Sequence, residues 1–423
     1  MWTELKNLKE SNEFLNLLLD NINSAVLIAD ENLRIHQFND SFLNLFDKAT
    51  ESVLEATFGE TVGCVNAIIE NKACGATSQC SQCILRSSLI HNLIDRAPVN
   101  NQSLNRVFYI KGEPVEKHFQ FSTRPITFQG RKMFLIIIYD VTDIELQKIE
   151  LQRKQKLIDR DLESAAAIQK SLLPDRSPRI ENIQVAWRFE PCDQVGGDIF
   201  NVHNMDERNV GLYMLDVCGH GVPAALISVA VSQFLNGGDG LLGNNCELVS
   251  PDIVLNRLDH AFPFERFDSF FSIICMTLDV QEGLLTYSSA GHPPPVLVRS
   301  NGSIETLDHR GPSIGIGSEE TIGQQSIRLQ TGDKILLYTD GLLENRNSTG
   351  AFFGKQRFYD ILEKYRSAPV EEIVESIYTS VKDFRQEAKS DDDISILGVE
   401  YSGKDGVQES IQTESRLLTS MKS

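Results

Sequence analysis

The chain has 423 residues, too long for one ordinary domain, so its length predicts two or three folded units. Lys and Arg total 40 against 59 Asp and Glu, and the formal net charge is −19. A chain this acidic repels phosphate backbones and anionic lipid. The charge therefore argues against binding to nucleic acid, or to a negatively charged membrane surface, as the main activity.

Export and membrane insertion are not expected. A membrane span needs about 20 consecutive apolar residues, and no stretch of the sequence approaches that length. The longest apolar run, 133–139, is predicted to be a buried strand. The N-terminus lacks the basic segment followed by an apolar one that marks a secretion signal. The eight cysteines are then expected to be reduced thiols or metal ligands. These features predict a soluble, cytoplasmic protein.

The first 143 residues predict a mixed α and β domain. Residues 1–20 carry apolar residues at helical spacing, and residues 25–38 form two short apolar runs around a two-residue turn, which predicts a hairpin. Short helices and three more strand-like runs follow, and the last ends in Tyr-Asp-Val-Thr before another helix. This order resembles the PAS sensor family over residues 1–143. A GAF-type sensor and an α+β domain used only for dimerisation are the alternatives.

Residues 144–173 contain neither Gly nor Pro and end before Pro174, which predicts one long helix. One apolar row recurs at intervals of seven and consists of Ile144, Leu151, Ile158, Ala165 and Leu172. The second row of a coiled coil is mostly polar, so a stable isolated coiled coil is not expected. Two interpretations stay open: a marginal parallel pairing of two helices, suited to a switch, and a helix that lies on its own domain.

Residues 174–402 are rich in strand-like segments with helical segments between some of them. Two sheets covered by helices would bury this many strands. Residues 403–423 are polar with little periodicity and are predicted to form a flexible tail. The sequence thus predicts an α+β protein of two domains joined by a helical linker.

Four acidic positions in the second domain lie where an apolar strand gives way to a Gly-rich or polar loop: Asp198, Asp216, Asp340 and the run 391–393. Strand ends hold side chains rigidly at one rim of a fold, as functional sites require. Converging carboxylates repel one another unless a cation neutralises them. Oxygen ligands select Mg²⁺ or Mn²⁺, and two such ions lower the pKa of a shared water toward neutrality. Each motif taken alone also fits a turn or a solvated loop.

In chain order, the motifs of this domain read AAAIQKSLLP, GGDIF, DVCGHGVPAAL, SSAGHPPPVL, YTDGLLENRN and DDDISIL. They resemble the bacterial metal-dependent phosphatases of the SpoIIE/RsbU type, a branch of the PPM protein serine/threonine phosphatases, over residues 160–401. The resemblance implies an αββα sandwich, two Mn²⁺ or Mg²⁺ ions and hydrolysis of phosphoserine or phosphothreonine on a protein. It also implies a partner, namely a phosphorylated anti-sigma-factor antagonist or a similar STAS-domain protein.

The resemblance assigns metal-binding roles residue by residue. Asp216 would bridge both metals, and the backbone carbonyl of Val217 would bind one of them. Asp198 would hold the second metal, directly or through water. Asp340 and Asp392 would complete the first.

Three further positions near these motifs have open roles. Asp393 is the alternative to Asp392, because a run of three acids leaves the register uncertain by one. Cys218 departs from the family, which usually has Ser there. A structural role is expected for it, although a thiol beside a metal would also make an enzyme sensitive to oxidation. His220 is a candidate proton donor to the leaving serine, and a structural hydrogen bond in a tight loop is the alternative. His292 is expected to mark a strand-to-loop turn.

Two other functions compete with the phosphatase. The string GGDIF is close to the Gly-Gly-Asp-Glu-Phe signature of diguanylate cyclases, but Ile199 replaces the second acid and the other motifs stay unexplained. A degenerate phosphatase fold that serves as a scaffold is the non-enzymatic alternative, and the retention of every acid argues against it.

Four cysteines cluster in the first domain: Cys64, Cys74, Cys80 and Cys83. The last two have the two-residue spacing of a chelating turn, so four thiolates are a candidate site for Zn²⁺ or an iron–sulfur cluster. The other spacings are irregular, and thiol redox chemistry or buried structural cysteines remain alternatives. The complete hypothesis is a signalling phosphatase in which the first domain senses, helix 144–173 transmits, and a parallel homodimer forms.

Overall fold

The computed structural model describes residues 21–95, 97–128, 130–174, 180–237, 240–241 and 248–403. The chain divides into two compact units, Met1–Leu157 and Ile158–Ser423. The helix predicted within residues 1–20 and all of the predicted tail after Gly403 lie outside the described residues. Among the described helices, none combines the length and the apolar character needed to cross a membrane.

The first unit is built on one five-stranded antiparallel sheet with the order β2-β1-β5-β4-β3. Its strands are β1 (Ala25–Ala29), β2 (Ile35–Phe38), β3 (Val99–Ile110), β4 (Glu113–Phe128) and β5 (Arg131–Asp140). Its helices are α1 (Asp40–Phe46), α2 (Phe58–Thr61), α3 (Val65–Glu70) and α4 (Ile84–Asp95), with 3₁₀ turns at Thr50–Ser52 and Cys80–Gln82. The predicted hairpin and the three later strands are all present.

A cluster of phenylalanine rings holds the helices of the first unit against its sheet. The fully buried ring of Phe46, on α1, packs edge-on against Phe108 of β3 and Phe119 of β4, with ring centroids 6.0 and 5.5 Å apart. The side chain of Asn39 begins α1 by accepting the backbone N–H of Phe42 at 3.2 Å. Aromatic packing and one helix cap thus fix α1 on the sheet.

A helix of 29 residues, α5 (Thr142–Lys170), follows β5 directly. Asp140 starts it, because its Oδ1 accepts the backbone N–H of Thr142 at 3.0 Å and the Thr142 hydroxyl at 2.5 Å. The Nζ of Lys117 lies 2.6 Å from Oδ2 of the same carboxylate. The long helix predicted for 144–173 is thus present, but it ends three residues earlier, at Lys170. The division between the two units falls inside it.

The second unit contains two five-stranded antiparallel sheets, with the orders β13-β10-β9-β8-β7 and β12-β11-β14-β15-β6. The strands are β6 (Ile183–Glu190), β7 (Ile199–Asn204), β8 (Asn209–Val217), β9 (Phe271–Asp279), β10 (Leu284–Ala290), β11 (Val296–Val298), β12 (Ile304–Thr306), β13 (Gln325–Arg328), β14 (Lys334–Tyr338) and β15 (Ile394–Tyr401). The helices are α6 (Val222–Asn236), α7 (Pro251–Ala261), α8 (Phe264–Phe267), α9 (Asp340–Glu344), α10 (Gly354–Tyr365) and α11 (Val370–Arg385).

The two sheets pack face to face, and helices cover both outer faces. In β14, Ile335 and Leu337 lie in the core between the sheets, while Leu336 and Tyr338 face the helix layer of α10 and α11. This alternation explains why the strand is apolar throughout: side chains point to opposite faces, and both faces are buried. Helices α6 and α7 pack on the other sheet. The predicted αββα sandwich is confirmed.

Candidate metal centre

Strand pairing in the first sheet of the sandwich brings two of the predicted acids to one edge. Asp198 immediately precedes β7, and Asp216 is the penultimate residue of β8. The strands are antiparallel, with Ile199 opposite Leu215. The beginning of β7 and the end of β8 therefore meet, and the two carboxylates emerge at the same end of the sheet.

The second sheet presents its acids in the same way. Asp340 lies two residues beyond the end of β14, and Asp393 lies directly before β15. These strands are also antiparallel, and the backbone N–H of Thr339 donates to the carbonyl of Ser395 at 3.2 Å. Each sheet thus contributes one rim of acidic side chains.

Hydrogen bonds across the sandwich join the two rims at Asp198, which is 2% exposed. Its Oδ2 accepts the hydroxyls of Thr339 at 2.7 Å and Ser395 at 2.6 Å; Ser395 lies in β15, and Thr339 follows β14 directly. The backbone N–H of Asp198 donates to Oδ2 of Asp393 at 3.2 Å. Sequence reasoning missed Thr339 and Ser395. Their only sequence signal is a short hydroxyl residue beside each acidic motif.

The carboxylates perturb one another electrostatically. Burial, followed by the charges of Asp340 and Asp392, raises the pKa of Asp216 to about 8. Burial also raises the pKa of Asp392 to about 6, with Asp340 and Asp393 adding to the effect. The pKa of Asp198 is likewise well above its usual range, chiefly because of burial and then because of Asp216. These carboxylates therefore act on one another electrostatically, but among them only Asp392 and Asp393 belong, in the described residues, to a group of three ligand atoms within 4.8 Å of one another.

Glycines allow the backbone to approach these carboxylates closely. A Cβ on Gly197 would lie 2.8 Å from the carbonyl oxygen of Val217, the predicted backbone ligand. A Cβ on Gly196 would collide with the carboxylate of Asp393, and one on Gly341 would collide with the Asp393 carbonyl. At these three positions, any residue other than glycine would displace atoms of the site.

The residues present fit a divalent cation. Oδ1 of Asp340 is buried and has no hydrogen-bond partner, and the carboxyl of Asp340 also contacts that of Asp216. A buried carboxylate oxygen without a donor costs free energy unless a cation faces it. Carboxylate and carbonyl oxygens are the ligands that Mg²⁺ and Mn²⁺ prefer.

The tightest group of potential ligands includes a residue that sequence reasoning did not select. One ligand atom from each of Cys192, Asp392 and Asp393 lies within 4.8 Å of the others, and no other such group of three occurs in the described residues. Burial and the nearby charges of Asp393 and Asp392 raise the pKa of the Cys192 thiol to about 12. The thiol is therefore protonated beside these acids unless a cation replaces its proton.

The histidines and Cys218 lie in contrasting surroundings. His220 is exposed in a loop between Gly219 and Gly221, which have φ values of 96° and 78°. His292 is buried, with Nδ1 2.9 Å from the carbonyl of Pro293, and burial lowers its pKa to about 4. Cys218 is exposed, and its backbone N–H donates to the carbonyl of Phe270.

The structure does not support a metal or cluster site at the four cysteines of the first unit, which belong to none of the described groups with metal-binding geometry. Two of the sulfurs accept hydrogen bonds, and the other two cysteines pack against the hydrophobic core. The Sγ of Cys64 accepts from Arg106 at 3.7 Å, and the Sγ of Cys80 accepts the N–H of Gly75 at 3.2 Å. Cys74 and Cys83 pack against the hydrophobic core. The CxxC spacing predicted chelation but did not reveal these neighbours.

An antiparallel αββα sandwich with acids at the ends of its strands defines the PP2C-like class of fold. The SiaA-PP2C domain of Pseudomonas aeruginosa shares this fold: it superposes with a TM-score of 0.51 and 24% identity over 59% of this chain and 98% of that domain. Residues 206–402 match the family model "Stage II sporulation protein E (SpoIIE)", and residues 13–80 match a PAS domain model. The chain therefore combines a region similar to PAS domains with a region similar to the SpoIIE family.

Two curated relatives come from Bacillus subtilis (strain 168). Phosphoserine phosphatase RsbP is 27% identical over 245 residues, which is 56% of this chain and 57% of RsbP. Phosphoserine phosphatase RsbU is 26% identical over 230 residues, which is 54% of this chain and 66% of RsbU. The matched region thus spans less than two thirds of the length of each relative.

Proposed function

We propose that this protein is a metal-dependent protein serine/threonine phosphatase whose activity the PAS domain controls. One observation carries the proposal: strand ends from both sheets of a domain that matches the SpoIIE family bring Asp198, Asp216, Asp340, Asp392 and Asp393 to one partly buried acidic edge of the sandwich. Regular strand pairing explains the position of each acid, whereas their mutual repulsion has no structural benefit. A site of this kind is expected to work with bound cations.

Asp216, the Val217 carbonyl, Asp340 and Asp392 would hold one Mn²⁺ or Mg²⁺ ion, and Asp216 and Asp198 would hold a second. Two such ions supply Lewis-acid activation of a water near neutral pH and offset charge on a phosphoryl group. The hydroxyls of Thr339 and Ser395 keep Asp198 oriented.

His220 is the candidate side chain that would act directly on a phosphoprotein substrate. The exposed imidazole of His220 stands in the glycine-flanked loop after β8, where it can donate a proton to the departing serine oxygen. The substrate class that we propose is a phosphorylated STAS-domain protein in the cytoplasm, such as an anti-sigma-factor antagonist. The naming of two relatives as phosphoserine phosphatases supports the reaction.

The test is Mn²⁺-dependent phosphate release from a phosphorylated STAS-domain protein by wild type, Asp216→Ala and Asp340→Ala. We expect activity in the wild type and a loss of several orders of magnitude in each variant, because cation binding and water activation fail together. If the wild-type protein binds Mn²⁺ but releases no phosphate from phosphoserine or phosphothreonine proteins, the alternative of a degenerate phosphatase fold that serves as a scaffold is favoured. Turnover of GTP would favour the cyclase, although Ile199 is fully buried in β7.

We also propose that α5 pairs with α5 of a second copy in parallel. Three residues of its predicted row are exposed, Ile144 by 64%, Leu151 by 68% and Ile158 by 52%. Analytical ultracentrifugation should show a dimer that Leu151→Glu weakens, because a charge in the row opposes pairing. A protein that is monomeric at working concentration and equally active without residues 1–143 would contradict regulation through this helix.

A further inference from the structure

One small cavity of the first unit is lined by all four of its clustered cysteines and by two arginines: Cys64, Cys74, Cys80, Cys83, Arg86 and Arg106. Apolar residues make up most of the remaining lining. The cavity has a volume of about 30 Å³, which is enough for about one water-sized molecule. Small-molecule and cofactor sites begin at about 300 Å³. A reactant of only a few atoms therefore fits beside these sulfurs.

Cys80 has the surroundings of a stabilised thiolate. Its Sγ accepts the backbone N–H of Gly75 at 3.2 Å and the hydroxyl of Thr77 at 2.9 Å. The guanidinium of Arg86 lies against the same turn, since a Cβ on Gly75 would collide with it. Although burial acts in the opposite direction, the hydrogen bonds from Thr77 and Gly75 and the charge of Arg86 lower the pKa of Cys80. Such a thiol ionises readily, and the thiolate is the nucleophilic form.

Cys74 lies beside the same guanidinium but stays a neutral thiol. Its Sγ is packed against α2, where a Cβ on Gly59 would lie 2.7 Å from it. Burial raises the pKa of Cys74 more than its hydrogen bonds with Gly59 and Arg86 lower it, and the charge of Cys80 adds to the rise. Two cysteines thus share one cation and one cavity, and they differ in their readiness to ionise.

The other two cysteines have different neighbours. The Sγ of Cys64 accepts from Arg106 at 3.7 Å, and Cys83 packs against the hydrophobic core. The backbone N–H of Cys83 donates to the carbonyl of Cys80 at 3.3 Å and closes the 3₁₀ turn Cys80–Gln82. The two-residue spacing of Cys80 and Cys83 therefore builds the turn that presents the Cys80 sulfur.

We propose that Cys80 is a peroxide-reactive thiolate and that Cys74 is the thiol that resolves its oxidised form. The Cys80 thiolate attacks one oxygen of hydrogen peroxide, so that an S–O bond forms and the O–O bond breaks. The departing hydroxide takes a proton from solvent and leaves as water. The sulfur loses two electrons, which reduce the peroxide, and becomes a sulfenic acid.

The second step joins the two cysteines. The sulfur of Cys74 attacks the sulfur of the Cys80 sulfenic acid, an S–S bond forms and the S–O bond breaks. The departing hydroxide combines with the proton of the Cys74 thiol and leaves as a second water. Arg86, beside both residues, offsets the negative charge of the thiolate before the reaction. The site lies within the first unit and does not rest on the proposed phosphatase activity.

The experiment treats the full-length, reduced protein with limiting hydrogen peroxide and follows each cysteine by peptide mass spectrometry, with dimedone as the trap for sulfenic acid. In the wild type we expect a disulfide between Cys74 and Cys80 that dithiothreitol reverses. Cys74→Ser should instead accumulate the dimedone adduct on Cys80, and Cys80→Ser should form neither product. Cys64→Ser, a matched control that lines the same cavity, should behave as the wild type does.

Rates of oxidation test the role of the surroundings. Cys218 is exposed in the same chain and serves as an internal standard. We expect Cys80 to be oxidised at least about 10-fold faster than Cys218, because its neighbours favour the thiolate. Arg86→Gln should slow the oxidation of Cys80 about 10-fold, whereas Arg106→Gln, whose native side chain contacts Cys64, should leave it unchanged.

Oxidation of Cys80 no faster than that of Cys218 would overturn the inference, and so would a disulfide that joins a different pair of cysteines. If a variant fails to fold, the wild-type peptide map and the wild-type rates decide the matter, since both are measured on the native chain. A protein that forms the Cys74–Cys80 disulfide but releases no phosphate would remove the proposed function and leave this site intact.

Discussion

Oδ2 of Asp393 accepts the backbone N–H of Asp198 at 3.2 Å, and this bond joins residues 195 positions apart in the chain. Oδ1 of the same carboxylate accepts the backbone N–H of Cys192 at 2.8 Å. One buried side chain therefore ties both ends of the loop that precedes β7 to the start of β15. This arrangement gives Asp393 a bracing role beside the more accessible Asp392.

The two neighbouring acids should respond differently to removal of their charge. We expect Asp393→Asn to lower the free energy of unfolding by about 2 kcal/mol, because a carboxylate that accepts two backbone N–H groups becomes an amide with one acceptor oxygen. Asp392→Asn should not be destabilised, because the substitution removes a repelled charge, and it should lose Mn²⁺ affinity by at least about 10-fold. Chemical denaturation and calorimetry measure both quantities. If Asp392→Asn were the destabilised variant, Asp392 would have the bracing role and Asp393 would be the cation ligand.

Stability of the metal-free protein should fall as pH rises from about 5.5 to 8.5. The folded pKa values of Asp216, about 8, and Asp392, about 6, both exceed the ordinary aspartate value of 3.8. The folded state thus keeps protons that the unfolded chain has released, and this advantage disappears as pH passes the folded pKa values. Thermal melting in EDTA should show the decline, and Mn²⁺ should reverse it. Asp216→Asn should flatten the profile and raise the melting temperature near pH 8; a metal-free profile that rises with pH would contradict this account.

An ion pair fastens α11 to the edge strand β6. Oε1 and Oε2 of Glu190 accept Arg385 and the Tyr378 hydroxyl, each at 2.5 Å. Although partial burial acts in the opposite direction, these bonds hold the pKa of Glu190 below its usual value. The stabilisation is present above pH 4.5 and is lost as pH falls through the folded pKa.

We therefore expect Glu190→Gln to destabilise the protein by about 1–2 kcal/mol at pH 7, since it leaves the 8% exposed Arg385 without its carboxylate. The difference from wild type should shrink toward pH 3. Urea denaturation at the two pH values measures it. As a control, Glu363→Gln removes an exposed pair with Arg366 and should have little effect at either pH. A loss of equal size at both pH values would rule out the ion pair as the cause.

The cysteines of the first unit should carry no metal. Protein purified under anaerobic conditions should contain far less than one equivalent of zinc or iron, because Arg106 and the N–H of Gly75 already contact two of the sulfurs. Elemental analysis of wild type and of Cys80→Ser should give the same result. Stoichiometric zinc or iron that disappears in Cys80→Ser would restore the chelating interpretation.

The sequence by itself determined the α+β class, the long helix and the acidic motifs, because alternation of apolar residues, absence of Gly and Pro, and acids at strand ends are local features. The tertiary structure alone decided which groups surround those acids. Thr339, Ser395 and Cys192 reach the site through the pairing and packing of distant segments, which leaves no periodic signal in the chain. The cysteines illustrate the converse: their CxxC spacing is local, but chelation depends on sulfur positions that core packing, Arg106 and the N–H of Gly75 set. Local patterns follow from backbone geometry, whereas a site follows from which elements pack together.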